Sequence, residues 1–164
     1  MAGASFSMDF HRINRVLGSA VTVLNDRQEL AETLGEQFVS ATLGRFETGT
    51  GPDGEEWAKS ARAENESGRT LVDKGGLKGS INYEASSTAV AVGTSDQVKG
   101  AIHQFGGTIK PKSAGALKFK TPNGFVITKK VEIPARPYIG LNQEDVDEAA
   151  ETIRLFMQRG LGGR

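Results

Sequence analysis

One segment constrains this chain more than any other. From Arg27 to Phe46, the residues Leu30, Leu34, Phe38 and Ala41 recur at helical spacing, and Val39, Leu43 and Phe46 widen the stripe. The pattern predicts an amphipathic helix about 30 Å long, on which the rest of the fold must be built. Asp26 followed by Glu29 resembles a capping box at its start, and glycines with Pro52 end it. Upstream, Ile13, Val16, Leu17 and Ala20 fit a shorter helix over Ile13 to Val23, while Phe6, Met8 and Phe10 alternate as a short strand would.

Beyond the long helix the chain changes character. Gly49 to Gly68 is polar and turn-rich, with Trp57 as its one large apolar group, placed to pin the loop to the core. Strand patterns begin after Gly79. Ile81, Tyr83 and Ala85 alternate with polar residues, Ser86-Ser87-Thr88 turns the chain, and Ala89 to Val92 returns, which predicts an antiparallel hairpin. The short segment 101–105 is closed by Gly106-Gly107. A second hairpin is predicted at 116–131, turning at Thr121-Pro122-Asn123-Gly124, because Asn-Gly tolerates the positive φ of a tight turn. Pro134 and Pro137 force an extended segment. The last predicted helix is capped by Asn142, has Val146, Ala149, Ala150, Ile153 and Met157 as its buried stripe, and stops at Gly160. Its acids come first and its arginines last, in keeping with the helix dipole. The expected class is α+β: an antiparallel sheet with an extended basic hairpin, packed against N-terminal and C-terminal helices. A single domain over 1–164 is expected, with flexible ends at 1–5 and 158–164.

Composition narrows the chemistry. With 21 glycines and only 37% hydrophobic residues, the chain is suited to long loops, exposed arms or surfaces that order in an assembly. No cysteine is present, so disulfides and thiolate metal sites are excluded. Met1 to Met8 lacks the basic start and apolar run of an export signal, and the apolar stretches are too short to span a bilayer, so a soluble protein made in the cytoplasm is expected. Net charge is zero but unevenly spread: residues 97–136 hold 8 basic side chains against Glu132 alone. Lys110, Lys112, Lys118, Lys120, Lys129 and Lys130 cluster on or beside the second hairpin, a candidate surface for a polyanion or an acidic protein.

No catalytic constellation is legible. Gly49-Thr-Gly51-Pro-Asp-Gly54 matches a dinucleotide fingerprint formally, but it follows a helix, contains proline and runs into Glu55-Glu56, which would repel a pyrophosphate. His11 and His103 lie near no metal-ligand cluster, and no serine occupies a nucleophile elbow. Neither cofactor nor small-molecule substrate is expected, and the chain reads as a non-enzyme. His103, between Ile102 and Phe105, reads as a half-buried hydrogen-bonding residue.

Five spaced strings carry a resemblance. They are Arg45-Phe46 with Gly51-Pro-Asp-Gly54 and Trp57; Leu71-Val-Asp-Lys-Gly-Gly-Leu-Lys-Gly-Ser-Ile81; Val92-Gly93-Thr94; Ile102-His103-Gln104-Phe105-Gly106-Gly107; and Ile133-Pro134-Ala135-Arg136-Pro137-Tyr138-Ile139-Gly140-Leu141. In this order they resemble the virion morphogenesis (tail-completion) proteins of Mu-like contractile-tailed phages, over about residues 26 to 157. Lys74-Gly75-Gly76 stands where that family commonly has Thr-Gly, and Lys78 where arginine is usual. The resemblance implies a structural virion protein of the neck, added late to the tail and needed for joining tail to head, in a ring matching sixfold tail symmetry. Implied partners are copies of itself, the tail tube or terminator, and head connector proteins. A tail terminator capping the tube is an alternative, and a nucleic-acid binder using the basic hairpin another, with DNA in the channel as its target.

The residues give these implications a local form. The segment Ile133 to Pro137 is rigid and poor in backbone donors, suited to placing Arg136 and Tyr138 at a subunit contact. Arg136 has two readings: it meets an acidic neighbour in another subunit, or it forms an intrachain ion pair bracing the final helix. The lysines are candidates for contact with an adjacent subunit, the tube or DNA.

Overall fold

A computed structural model describes residues 26–162 except 114, 122 and 123. The helix expected over 13–23 and the strand around Phe6 to Phe10 lie outside the described residues. The spine is α1 (Arg27–Thr48), which ends as Gly49 enters the left-handed region, φ 78°, and donates its N–H to the Arg45 carbonyl. The start differs from expectation: the Asp26 side chain makes no capping bond, and Glu29 is instead ion-paired with Arg159 at 2.7 Å.

The loop after α1 folds tightly. Thr50 bridges Glu56, and Trp57 donates its backbone N–H to Gly49 at 2.8 Å, which swings the indole inward. The polar region then contains a short helix the sequence pattern did not show, α2 (Ala61–Asn65), capped by Ser60, whose hydroxyl accepts from the Ala63 N–H. A 3₁₀ turn (Lys78–Ser80) leads to the first hairpin, β1 (Ile81–Ser86) and β2 (Ala89–Thr94), paired from Ile81↔Thr94 to Ser86↔Ala89. Next comes α3 (Gln97–Phe105), capped by Asp96. Segment 101–105 is thus the second half of a helix nine residues long, with Gly100 in its middle, too short to show a period.

The second hairpin is a compound arm. Its base pairs β3 (Gly107–Ile109) with β6 (Val131–Ile133); its outer part pairs β4 (Leu117–Thr121) with β5 (Gly124–Thr128). The class is α+β as expected, with the antiparallel pairing divided among three two-stranded ribbons.

The final helix, α4 (Gln143–Gly162), begins as expected with Asn142. The bonding there is reciprocal: Asn142 Oδ1 accepts from the Asp145 N–H at 2.8 Å and Asp145 Oδ2 accepts from the Asn142 N–H at 2.9 Å. The helix passes Gly160 and reaches Gly162, further than glycine placement suggested. It runs antiparallel to α1: Arg45 pairs with Asp145, Gln37 Nε2 donates to Thr152 Oγ1 at 2.8 Å, and Arg159 meets Glu29.

These contacts correct the predicted stripe of α4. Asp145 is buried and Ala149, Thr152, Phe156 and Gly160 are half-buried, one face at i, i+4, i+7, i+11 and i+15. Val146, Ala150, Ile153 and Met157 lie to one side of that face and are exposed. On α1, too, the deepest positions are Ala31, Gly35, Thr42, Arg45 and Phe46, while Leu30, Leu34, Phe38 and Ala41 are half-buried. The hairpin β1–β2 covers the small residues of α1, and the Tyr83 ring takes the space a side chain at Gly35 would fill.

The core lies where α1 ends. Phe46, Trp57, Leu77, Ile81 and Tyr138 form it, with Val39, Leu43, Leu71, Val72, Val92 and Ile139 around them. Phe46 packs edge-on to Trp57 at 5.6 Å and tilted against Tyr138 at 5.4 Å, geometries that favour aromatic pairs.

Candidate functional site

The two most distinctive sequence strings meet in space. Segment 134–140 is an extended strap with almost no strand pairing, so its polar backbone needs other partners. Each is supplied. The Arg136 N–H donates to the His103 carbonyl at 2.7 Å, and Trp57 Nε1 donates to the Pro137 carbonyl at 2.8 Å. Gln104 Oε1 accepts from the N–H groups of Tyr138 and Ile139 at 3.0 and 3.1 Å, while its Nε2 donates to the Ile139 carbonyl at 2.9 Å. Arg45 donates to the carbonyls of Tyr138 and Gly140 at 3.3 and 2.9 Å. Gln104 therefore acts as a side-chain substitute for a neighbouring strand. Gly106 makes the close approach possible: at φ 70° and ψ −174°, a Cβ there would fall 2.7 Å from the Ala135 nitrogen.

This arrangement reassigns several predicted residues. Tyr138 is only 1% exposed, packed against Phe46 in the core, and so has no surface to offer a partner. Burial raises its phenol pKa, assisted by the negative charge of Asp96. Trp57, Gln104 and Pro137 take part in the bonding that holds the strap. Pro134 lies exposed as the first residue of the strap, directly after β6. Phe105 points away from the core and is 79% exposed.

Arg136 does not form the ion pair bracing the final helix. That pair is Arg45–Asp145, both side chains buried, and sequence reading had missed it. Arg45 stood in a quoted string and Asp145 in the first turn of the last helix, but nothing in their spacing of 100 residues joined them. Arg136 is 4% exposed, and its guanidinium donates to the carbonyls of Ala58 and Lys59 at 2.6 and 3.4 Å. Burial lowers its pKa. It meets no carboxylate among the described residues.

Arg136 and His103 share a cavity of about 380 Å³ with Arg62, Lys74, Lys99 and Asp73 among its walls. His103 is half-buried; its Nδ1 is buried without a hydrogen-bond partner. Burial, then the Arg136 charge, holds the imidazole pKa below its ordinary value. Sequence reading had not connected Arg62, Lys74 or Lys99 with this place.

The basic arm is the second feature. Cross-strand partners share a face, so Leu117, Phe119, Val126 and Thr128 line one side of β4–β5, and Lys118, Lys120, Phe125 and Ile127 hold positions on the other. Phe125 and Ile127 are 65% and 67% exposed, and Phe119 and Val126 on the opposite face are also exposed. The Lys118 ammonium sits 4.6 Å above the Phe125 ring. Lys110, Lys112, Lys129 and Lys130 are exposed along the base, where Lys130 pairs with Glu132 at 2.9 Å. Neither ribbon of the arm packs extensively on a helix. The turn residues 122 and 123 lie outside the described residues, flanked by the pair Thr121↔Gly124.

Among the described residues, no helix is long and apolar enough to cross a membrane. No solved structure matches the chain. Among curated proteins, it is 32% identical over 132 residues to the Mu-like prophage FluMu G protein 2 of Haemophilus influenzae, covering 80% of this chain and 79% of that one. It is 29% identical over 159 residues to the putative capsid assembly protein G of Escherichia phage Mu, covering 90% of each. The model of the phage virion morphogenesis family matches residues 8–158, including the strap, the arm and the α1–α4 pair. The chain belongs to the phage virion morphogenesis family, in its Mu-like branch.

Proposed function

We propose that the chain is a structural subunit at the head-proximal end of the tail, in the neck, acting in tail completion and stable head–tail joining. It works as a ring of copies, six to match the tail, between the tail tube or terminator and the head connector. The observation that carries this reading is the arm. An isolated two-stranded ribbon is at best marginally stable in water, and this one exposes apolar side chains on both faces. Such a ribbon is suited to covering by a neighbouring protein, with its lysines choosing an acidic one. The family membership supports a role in virion assembly, and the name of the Mu relative, a putative capsid assembly protein, is compatible with the head-proximal end.

Electron microscopy of lysates from a phage lacking the chain tests the reading. Complete heads beside unattached tails are expected. Tails of abnormal length would favour the terminator role instead, and normal infectious particles would overturn both. A DNA contact has one specific observation in its favour: the Lys118 ammonium sits over the exposed Phe125 ring, a cation and ring arrangement that suits a phosphate backbone with exposed bases.

A further inference from the structure

Apart from the arm, the cavity around Arg136 is the most unusual electrostatic feature of the molecule. Four permanent cations, Arg62, Lys74, Lys99 and Arg136, line it against one carboxylate, Asp73. Arg62 and Lys99 have acidic neighbours: Asp73 and Glu66 lie 3.9 and 4.0 Å from Arg62, and Asp96 lies 3.0 Å from Lys99. Lys74 on the rim has no ion-pair partner among the described residues, and Arg136 at the base has carbonyls only. Holding a guanidinium out of water without an anion is unfavourable, and a fold retains such a group most readily when an anion arrives from outside. His103, whose pKa burial holds below its ordinary value, lines the same wall.

We propose that this cavity is a socket for a carboxylate side chain of a second copy of the chain, supplied by Glu144 or Glu148 on α4. The assignment rests on the ring reading above and gives it a contact. Recession favours a side chain over a nucleic acid, because a phosphodiester backbone meets projecting groups and Arg136 is recessed. Charge complementarity selects the donor. Glu144 and Glu148 are exposed, stand one helical turn apart, and form no ion pair with a described residue. They border the groove between α1 and α4, whose lining shares no residue with the cationic cavity. Two complementary patches at different places on one chain make a head-to-tail contact, the kind of contact from which a ring is built when its rotation closes.

The test is complementation of a phage lacking the chain with charge-reversed versions of the full-length protein. Lys74→Glu lies on an exposed loop and leaves the core untouched; Arg136→Gln reports the base of the socket, with its melting temperature measured alongside. Lys74→Glu alone and the pair Glu144→Lys with Glu148→Lys are each expected to lower the yield of joined particles about tenfold or more, as expected for truncated or reversed charge pairs across an interface. Combining all three reversals is expected to restore it. Full complementation by each reversal alone would overturn the socket while leaving the neck reading intact, provided that loss of the whole chain separates heads from tails. Loss with Lys74→Glu but not with the α4 reversals would assign the carboxylate to a different virion protein and overturn the second copy. A reduced salt dependence of duplex binding for Lys74→Glu would assign the cavity to phosphates and overturn the carboxylate.

Discussion

At the scale of single residues, the molecule uses polar side chains where a larger fold would use sheet. Gln104 and Arg45 together bind five backbone groups of the strap, and a buried carboxylate fixes Arg45 in turn. Breaking a buried ion pair from one side leaves an uncompensated charge. Asp145→Asn is therefore expected to reduce stability by about 3–5 kcal/mol, measured by denaturant unfolding. The same change weakens the capping interaction with Asn142, so the loss of helix signal should begin in α4. His103 sets a pH dependence. Burial and the Arg136 charge lower its folded pKa below the ordinary 6.5, so the unfolded chain binds a proton that the folded chain resists. Its contribution is complete above pH 6.5 and is lost as pH falls toward the folded value. His103→Gln is expected to flatten the stability profile below 6.5, as followed by melting temperature against pH.

At the scale of elements, α1 and the arm have opposite relations to their surroundings. The helix is held on two sides, by the β1–β2 hairpin and by α4, and its closest contacts use small residues. Gly35→Ala places a methyl against the Tyr83 ring and is expected to destabilise the chain by about 1–3 kcal/mol in thermal unfolding. Among the described residues, neither ribbon of the arm packs extensively on a helix. Replacing Phe125 and Ile127 together by serine is expected to leave the melting temperature within about 1 °C, since both are already exposed, while abolishing joined particles in complementation. A large fall in melting temperature would show that the arm packs on its own subunit.

At the scale of the whole molecule, a small aromatic core near the end of α1 supports an extended arm, a recessed cationic cavity and an acidic helix face. That division is suited to a subunit that is completed by its neighbours. If the arm meets DNA, replacing Lys118, Lys120, Lys129 and Lys130 by glutamine should lower the salt slope of binding by roughly 3–4, at about 0.9 for each phosphate no longer neutralised. An unchanged slope would leave the arm to protein partners.

The amino-acid sequence by itself determined the long helix, the two hairpins, the Asn142 start of the final helix, the Trp57 pin and the rigid extended segment from Ile133 to Pro137. These are local signals, set by periodicity, turn residues and the restricted backbone of proline and glycine. Only the tertiary structure decided which side of α4 faces α1. Two stripes on that helix have equally helical spacing, and polar partners 100 and 115 residues away, Arg45 and Gln37, selected the less apolar one. Only the fold could show that Tyr138 packs inward while Arg136 shares a cavity with Lys74 and Lys99, because a backbone bond from Arg136 to His103 joins the strap to α3 and the 71–77 loop lines the same cavity, and no spacing encodes that. Long-range polar contacts have no period, and a sequence reports them only once the chain has brought them together.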